Sequence, residues 1–277
     1  MNIRKRYLPA GWYPSDQKST LNKIETMVKG LCISTANAVA GVVPHAGWEF
    51  SGRVALEVFA SIKTKADTIV VVGGHLSQAS GIYAAFEQGY ETPLGIIDAD
   101  LELLAEIKKG IPVKEDITAD NTVEIQLPFL KYYFPESKAL WMRAAPSSQA
   151  LQLSRVLFEA EKALKRKIIV IGSTDLTHYG LNYGFMPKGT GKQAVVWVKE
   201  ENDKRIIQAL VEQRLEQALE YALSDHSACS AGGAVTAAGF ACEKGLKQGK
   251  LLSYLTSWDI YPSESFVGYA GIIYSKE

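Results

Sequence analysis

Three β-branched runs, each ending in a small-residue turn and then a histidine, constrain this chain more than any other feature. AGVVPHAG carries His45, TIVVVGGH carries His75, and KIIVIGSTDLTH carries His178. Short apolar runs without helical periodicity predict buried strands, and their lack of inside–outside alternation predicts parallel neighbours. Polar side chains just past the carboxyl ends of such strands share one crevice, where open α/β sheets bind ligands. Residues remote in sequence then meet as imidazoles, the commonest metal-ligating side chain. A metal site at the sheet edge is the leading expectation.

The remaining segments fit such a sheet. Helical spacing runs through DQKSTLNKIETMVKG, with a Ser/Thr start, and through SGRVALEVFASIKT, DADLELLAEIKKG and SSQALQLSRVLFEAEKALKRK. GIYAAFEQGYETPLGIIDAD alternates and turns like a hairpin, and KALWMRAAP reads as a strand. Asn121 and Glu124 stand at capping-box spacing, so NTVEIQLPFLKYYF opens as a helix. One or two charged helices span about 190–222, followed by the Ala-rich helix SACSAGGAVTAAGFACEKG, small enough to pack very closely. LLSYLTSWDI and SFVGYAGIIYS close the sheet. Strands and helices alternate with no linker and no repeat, which predicts one α/β domain over 1–277, a mostly parallel central sheet flanked by helices.

Composition narrows the class of function. Hydrophobic residues make up 47% of 277, enough for a substantial core, and 30 Lys plus Arg balance 30 Asp plus Glu. With no basic block, a nucleic-acid partner is not expected. Neither a signal peptide nor a membrane span is legible, so the expected compartment is the cytoplasm. Cys32, Cys229 and Cys242 include no CxxC pair, which argues against a disulfide framework.

The candidate site residues follow from these placements. Pro44 and Gly47 bracket His45, and Trp48, Glu49 and Phe50 after it are candidates for the pocket rim. Gly73 and Gly74 before His75 allow close backbone approach, although the P-loop lysine is missing. Asp175, three residues before His178, meets it on a helical turn and orients its ring. Ser173 and Thr174 offer a hydrolase nucleophile with His178, yet no GxSxG elbow is present. Cys229 stands at the start of the Ala-rich helix, whose positive end favours a thiolate, and His226 competes with it as a ligand. Asp259 is a second carboxylate behind the site or a helix cap.

Taken in order from residue 11 to residue 274, GWYP, PHAGWEFSG, GGH, VEIQLPFL, GSTDLTHYG, Cys229 and SWD…VGYAGIIY resemble the MEMO family, known in bacteria and archaea as AmmeMemoRadiSam system protein B. The resemblance implies a fold like that of class III extradiol ring-cleavage dioxygenases. It also implies metal ligands His45, His75 and Cys229, with His178 as acid/base and Asp175 in support. Between Cys229 and His226 it favours Cys229. Asp120, Asn121 and Thr122 replace the family's Glu-His-Ser, Ser230 replaces a Gly, and Trp48 replaces a Tyr. Asn121 hydrogen-bonds but cannot shuttle a proton near neutral pH.

The leading functional expectation is a metal-dependent redox or dioxygenase-type enzyme acting on a small molecule, its cofactor a divalent iron, copper or zinc. A non-catalytic adaptor that binds metal or a peptide is the second reading. A zinc-dependent hydrolase with His178 as proton donor is the third. A purely structural metal is disfavoured, since its ligands would not be spread over about 180 positions. The resemblance further implies association with an AMMECR-type protein and a radical S-adenosylmethionine enzyme.

Overall fold

The three histidine-bearing runs are neighbouring or near-neighbouring strands of a nine-stranded sheet. The computed structural model describes residues 2–31 and 33–276, so Cys32 lies outside the described residues. In chain order the strands are β1 (Ile3–Arg4), β2 (Asn37–Val43), β3 (Thr68–Gly73), β4 (Ile82–Ala84), β5 (Gly89–Thr92) and β6 (Gly95–Asp98). They continue as β7 (Lys114–Glu115), β8 (Lys138–Ala144), β9 (Ile168–Ser173), β10 (His178–Tyr179), β11 (Lys250–Thr256) and β12 (Phe266–Lys276). The large sheet runs β10-β12-β2-β9-β3-β8-β4-β7, with β11 also on β12.

Its centre, β2-β9-β3-β8, is parallel throughout, whereas β12 and β4 join it antiparallel. The expected parallel sheet is therefore the centre of a mixed one. The hairpin reading splits as well. β5 and β6 form the hairpin, in a small sheet with β1, while β4 leaves it to lie between β8 and the edge strand β7 of the large sheet.

Helices cover both faces of the centre, which is why its strands show no polar alternation. Val70, Val72 and Val170 pack beneath the helices Leu101–Gly110, Ser148–Leu164 and Ala231–Glu243. Ile69, Val71, Ile169 and Ile171 pack on the other side with Leu56 and Phe59 of the helix Gly52–Ser61. Each such fully buried Val or Ile contributes roughly 1.5–3 kcal/mol.

The Ala-rich helix Ala231–Glu243 is buried along nearly its whole length. A Cβ on Gly233 would sit 2.2 Å from the Val72 carbonyl oxygen, so only glycine permits this contact between helix and strand backbone. The approach sets Cys229, two residues before the helix, over the ends of the central strands. Its N–H donates to the Asp175 carbonyl at 3.2 Å.

Two caps differ from the sequence reading. Asp16, not a Ser or Thr, caps the first helix by accepting from the Ser19 N–H. Asp120, one residue before Asn121, caps the short helix Asn121–Glu124. Glu124 is drawn away from a capping role because it accepts the Tyr7 and Leu8 N–H groups and the Tyr13 hydroxyl, tying down the N-terminal segment. Among the described residues no helix is long and apolar enough to cross a membrane.

Candidate metal centre

β2, β9 and β3 lie side by side, so the turns that leave their carboxyl ends emerge together. β2 delivers His45, β3 delivers His75 through Gly74 at φ 117°, and the turn after β9 delivers Asp175 and His178. That φ lies in the region favoured by glycine. The Gly74 N–H is held by the Thr122 hydroxyl at 2.8 Å.

The donor atoms of His45, His75 and Cys229 all fall within 4.8 Å of one another. His45 Nε2 is 3.2 Å from His75 Nε2 and 3.2 Å from Cys229 Sγ. The two imidazoles meet edge to face, their planes at 86°. Three donors of this kind suit a divalent transition metal, and the set by itself is shared by zinc, iron and copper sites.

Each donor is held from behind. His45 Nδ1 lies 3.2 Å from the Ser173 hydroxyl, which also accepts from Gln126 Nε2. The His45 N–H donates to Asp175 Oδ1 at 2.6 Å. On the other flank, His75 Nδ1 faces Asp120 Oδ2 at 3.9 Å. Arg143 pairs with Asp120 at 3.1 Å and grips the buried Asp116 through two further bonds. Carboxylates and hydroxyls behind metal-ligating imidazoles fix the tautomer and the ring orientation.

The electrostatics suit metal binding. Burial lowers the His45 pKa to about 4 and also lowers that of His75, so both rings stay neutral with a lone pair to give. Burial and the Asp175 carboxylate push the Cys229 thiol upward. This corrects the expectation of a thiolate stabilised by a helix end. Cys229 precedes the helix, and without metal it keeps its proton. Burial works against the charge on Asp175, but His45, His178 and its hydrogen bonds outweigh this and hold its carboxyl below the usual range.

Asp175 and His178 do meet, with Oδ2 3.8 Å from His178 Nε2, but not on a helical turn. Residues 174–177 form a loop that enters β10, where His178 pairs with Val267. Tyr183 stacks on the His178 ring at 4.9 Å between centroids. Asp203, fully buried and raised to about 7 by that burial, accepts from the Thr177 N–H at 3.0 Å and so anchors the loop.

A cavity of about 460 Å³ opens over these groups, lined among others by His45, His75, Asn121, Asp175, His178, Trp12 and Tyr183. Asn121 donates from Nδ2 to the His45 carbonyl at 3.1 Å.

The other sequence candidates fall elsewhere. Trp48 is buried, stacked on Phe129 with centroids 4.1 Å apart, and belongs to the core instead of the rim. Phe50 does line the cavity, and Glu49 pairs with Lys23 at 2.6 Å. Asp259 completes a capping box with Thr256, which makes it a helix cap. His226 is exposed and leans on Phe185, outside the donor cluster. Ser173 and Thr174 are buried and serve His45, Cys229 and the local backbone, so neither forms a nucleophilic pair with His178. Arg143, Asp116 and Asp203 carried no signal in the sequence, because each acts on the site through partners at least 23 positions away, and Gln126 entered only as part of the VEIQLPFL motif.

A family model described as Memo-like protein matches residues 4–273. A MEMO1 family protein of Thermococcus onnurineus is 30% identical over 99% of this chain and 100% of its own length. Another, from Pyrococcus abyssi, is 35% identical over 84% of this chain and 86% of its own. An uncharacterized protein from Escherichia coli K12, of known crystal structure, superposes with a TM-score of 0.54 at 13% identity, covering 83% of this chain and 98% of that one. That last likeness concerns the fold alone.

Proposed function

We propose, from the premise that the chain belongs to the Memo-like protein family, that it is a metal-dependent redox enzyme of the dioxygenase type acting on a small molecule in the 460 Å³ cavity. The observation that carries this reading is the convergence of three ligand atoms, from segments 184 residues apart at the extreme, within 4.8 Å beside that cavity. His45, His75 and Cys229 would hold the ion. When bound, a divalent ion there supplies Lewis acidity and, for iron or copper, one-electron chemistry.

The chain's own residues do the rest. Ser173 and Asp120 fix the two ligand imidazoles from behind. His178 is the imidazole lining the cavity outside the donor set, and it takes or gives a proton at its ring nitrogen. The Asp175 carboxylate, 3.8 Å away, orients that ring. Tyr183 keeps the ring from rotating by stacking on it. Asn121 orients the His45 loop and takes no part in proton transfer.

Metal analysis of anaerobically purified protein tests the ligand set. Wild type is expected to carry close to one ion per chain and His45→Ala almost none, and equal contents would overturn the reading. Oxygen uptake with a panel of catechols tests the activity. His178→Ala should keep its metal and lose turnover. The aromatic side chains of Trp12, Phe50 and Tyr261 in the cavity wall also favour a ligand-holding role. Tight peptide binding with no turnover of any substrate would give the protein to that second reading.

A further inference from the structure

The sulfur side of the donor cluster has a cavity of its own. About 280 Å³ in volume, it is lined by Leu176, Phe185, Ala222, His226, Ala228 and Cys229, together with His178 and Tyr183. The larger cavity is bounded by His45 and His75 but not by Cys229. His178 and Tyr183, stacked with their planes 18° apart, belong to the walls of both. One aromatic partition thus separates a chamber that meets the ligand nitrogens from a chamber that meets the ligand sulfur.

The two chambers differ in chemistry. The larger carries the Asp175 carboxylate, the Asn121 amide and the hydroxyls of Ser257, Ser263 and Ser265. Among the described residues the wall of the smaller holds the imidazoles of His178 and His226 but no carboxylate, ammonium or guanidinium, so an anion entering it would gain no fixed charged partner for the water it sheds. At its mouth His226 holds φ 51°, a conformation that residues other than glycine rarely adopt, and rests its ring on Phe185 at 5.0 Å. Within two residues of Cys229 in sequence, the buried hydroxyls of Ser227 and Ser230 have no hydrogen-bond partner among the described residues. They leave polar capacity unused beside Cys229.

Resting on the metal-site reading above, we propose that the smaller cavity is a separate entrance for small uncharged molecules to the Cys229 side of the site, open while the larger cavity holds its own ligand. The arrangement would let two reactants of different size and charge reach one centre without competing for one mouth.

Thiol modification of the metal-free protein tests this, with the uncharged reagent methyl methanethiosulfonate set against its anionic sulfonatoethyl analogue. Peptide mass spectrometry separates Cys229 from Cys242, which serves as the internal reference for reagent reactivity and for unfolding. Relative to Cys242, the uncharged reagent should modify Cys229 at least tenfold faster than the anionic one. Ala222→Leu, which narrows the smaller cavity, should slow Cys229 about tenfold. His226→Ala, at the exposed mouth, should speed it severalfold and keeps the test alive if the buried substitution fails to fold. Ser263→Trp, in the wall of the larger cavity, should leave the rate within twofold. Slowing by Ser263→Trp with no response to the other two variants would overturn the proposal, as would equal rates for the two reagents. Cobalt(II) titration of the same samples, read by the thiolate-to-cobalt absorption band, judges the metal reading independently. A missing band in wild type would defeat that reading while the modification rates still decide the entrance.

Discussion

The two ends of the central strands hold two very different cavities. At the amino ends of β3, β8 and β9 lies the larger, about 890 Å³, bordered by Lys63, Lys65, Lys138, Lys165 and Arg166. At the carboxyl ends lies one about half that size, bordered by the histidines. Volume alone would choose the first. The polar groups choose the second. At the amino end the buried Asp100 carboxylate is fully engaged, accepting two 2.7 Å bonds from Arg166, one from the Thr68 hydroxyl and one from the Leu103 N–H. At the carboxyl end His45 Nε2, His75 Nε2 and Cys229 Sγ face one another across a shared centre. Saturated polar groups hold a fold together, and convergent donors with spare capacity bind something.

Substitutions at the two ends should therefore separate stability from metal binding. The largest effect is expected from His45→Ala, which should abolish stoichiometric metal binding while circular dichroism reports an intact fold. Asp100→Ala should do the converse. By leaving Arg166 with only the exposed Glu102 as partner and a helix uncapped, it should cost about 3 kcal/mol in denaturant unfolding, with metal affinity unchanged in the folded protein. If Asp100→Ala also lowered metal affinity, the two ends would be coupled and the distinction would fail.

Asp120→Asn keeps the cap and removes the charge behind His75, and should weaken metal binding at least tenfold by competitive chelator titration. The pH dependence is next in size. His45, with its pKa lowered to about 4, is already neutral near pH 7, so only the Cys229 thiol gives up a proton on binding. Affinity should then rise about tenfold per pH unit between about pH 6 and 8. A flat profile would mean that the sulfur is not a ligand. The smallest effect belongs to Lys165→Gly at the amino end. Lys165 sits at φ 52°, so glycine should stabilise the fold by roughly 0.5–1 kcal/mol and leave metal affinity untouched.

The sequence conveyed the parallel centre and the strand-end histidines because both follow from local pattern. TIVVVGG can hardly be anything but a strand packed on two faces, and whatever follows it emerges at a sheet edge. The choice between Cys229 and His226 was not legible from the residues alone. It depends on the close contact at Gly233 that draws the helix start, and Cys229 with it, over β3. Trp48 misled for a similar reason. Its nearness to His45 in sequence suggested the rim, but the chain doubles back at Gly47 and buries the indole against Phe129, 81 positions on. The β10 placement of His178 required β12, almost ninety residues downstream, and no local signal encodes that pairing.

The donor cluster draws on the turns after β2 and β3 and on the residues just before the Ala-rich helix, three segments that, among the described residues, no cross-link beyond the backbone joins. A bound ion would be a staple across them, closing a loop 184 residues long between His45 and Cys229. Any such ligand specific to the native state raises the free energy of opening, by about 2.7 kcal/mol at a hundredfold excess over Kd. Metal loading should thus be recorded in the backbone it clamps, as slower amide exchange along the helix Ala231–Glu243 and at the carboxyl ends of β2 and β3.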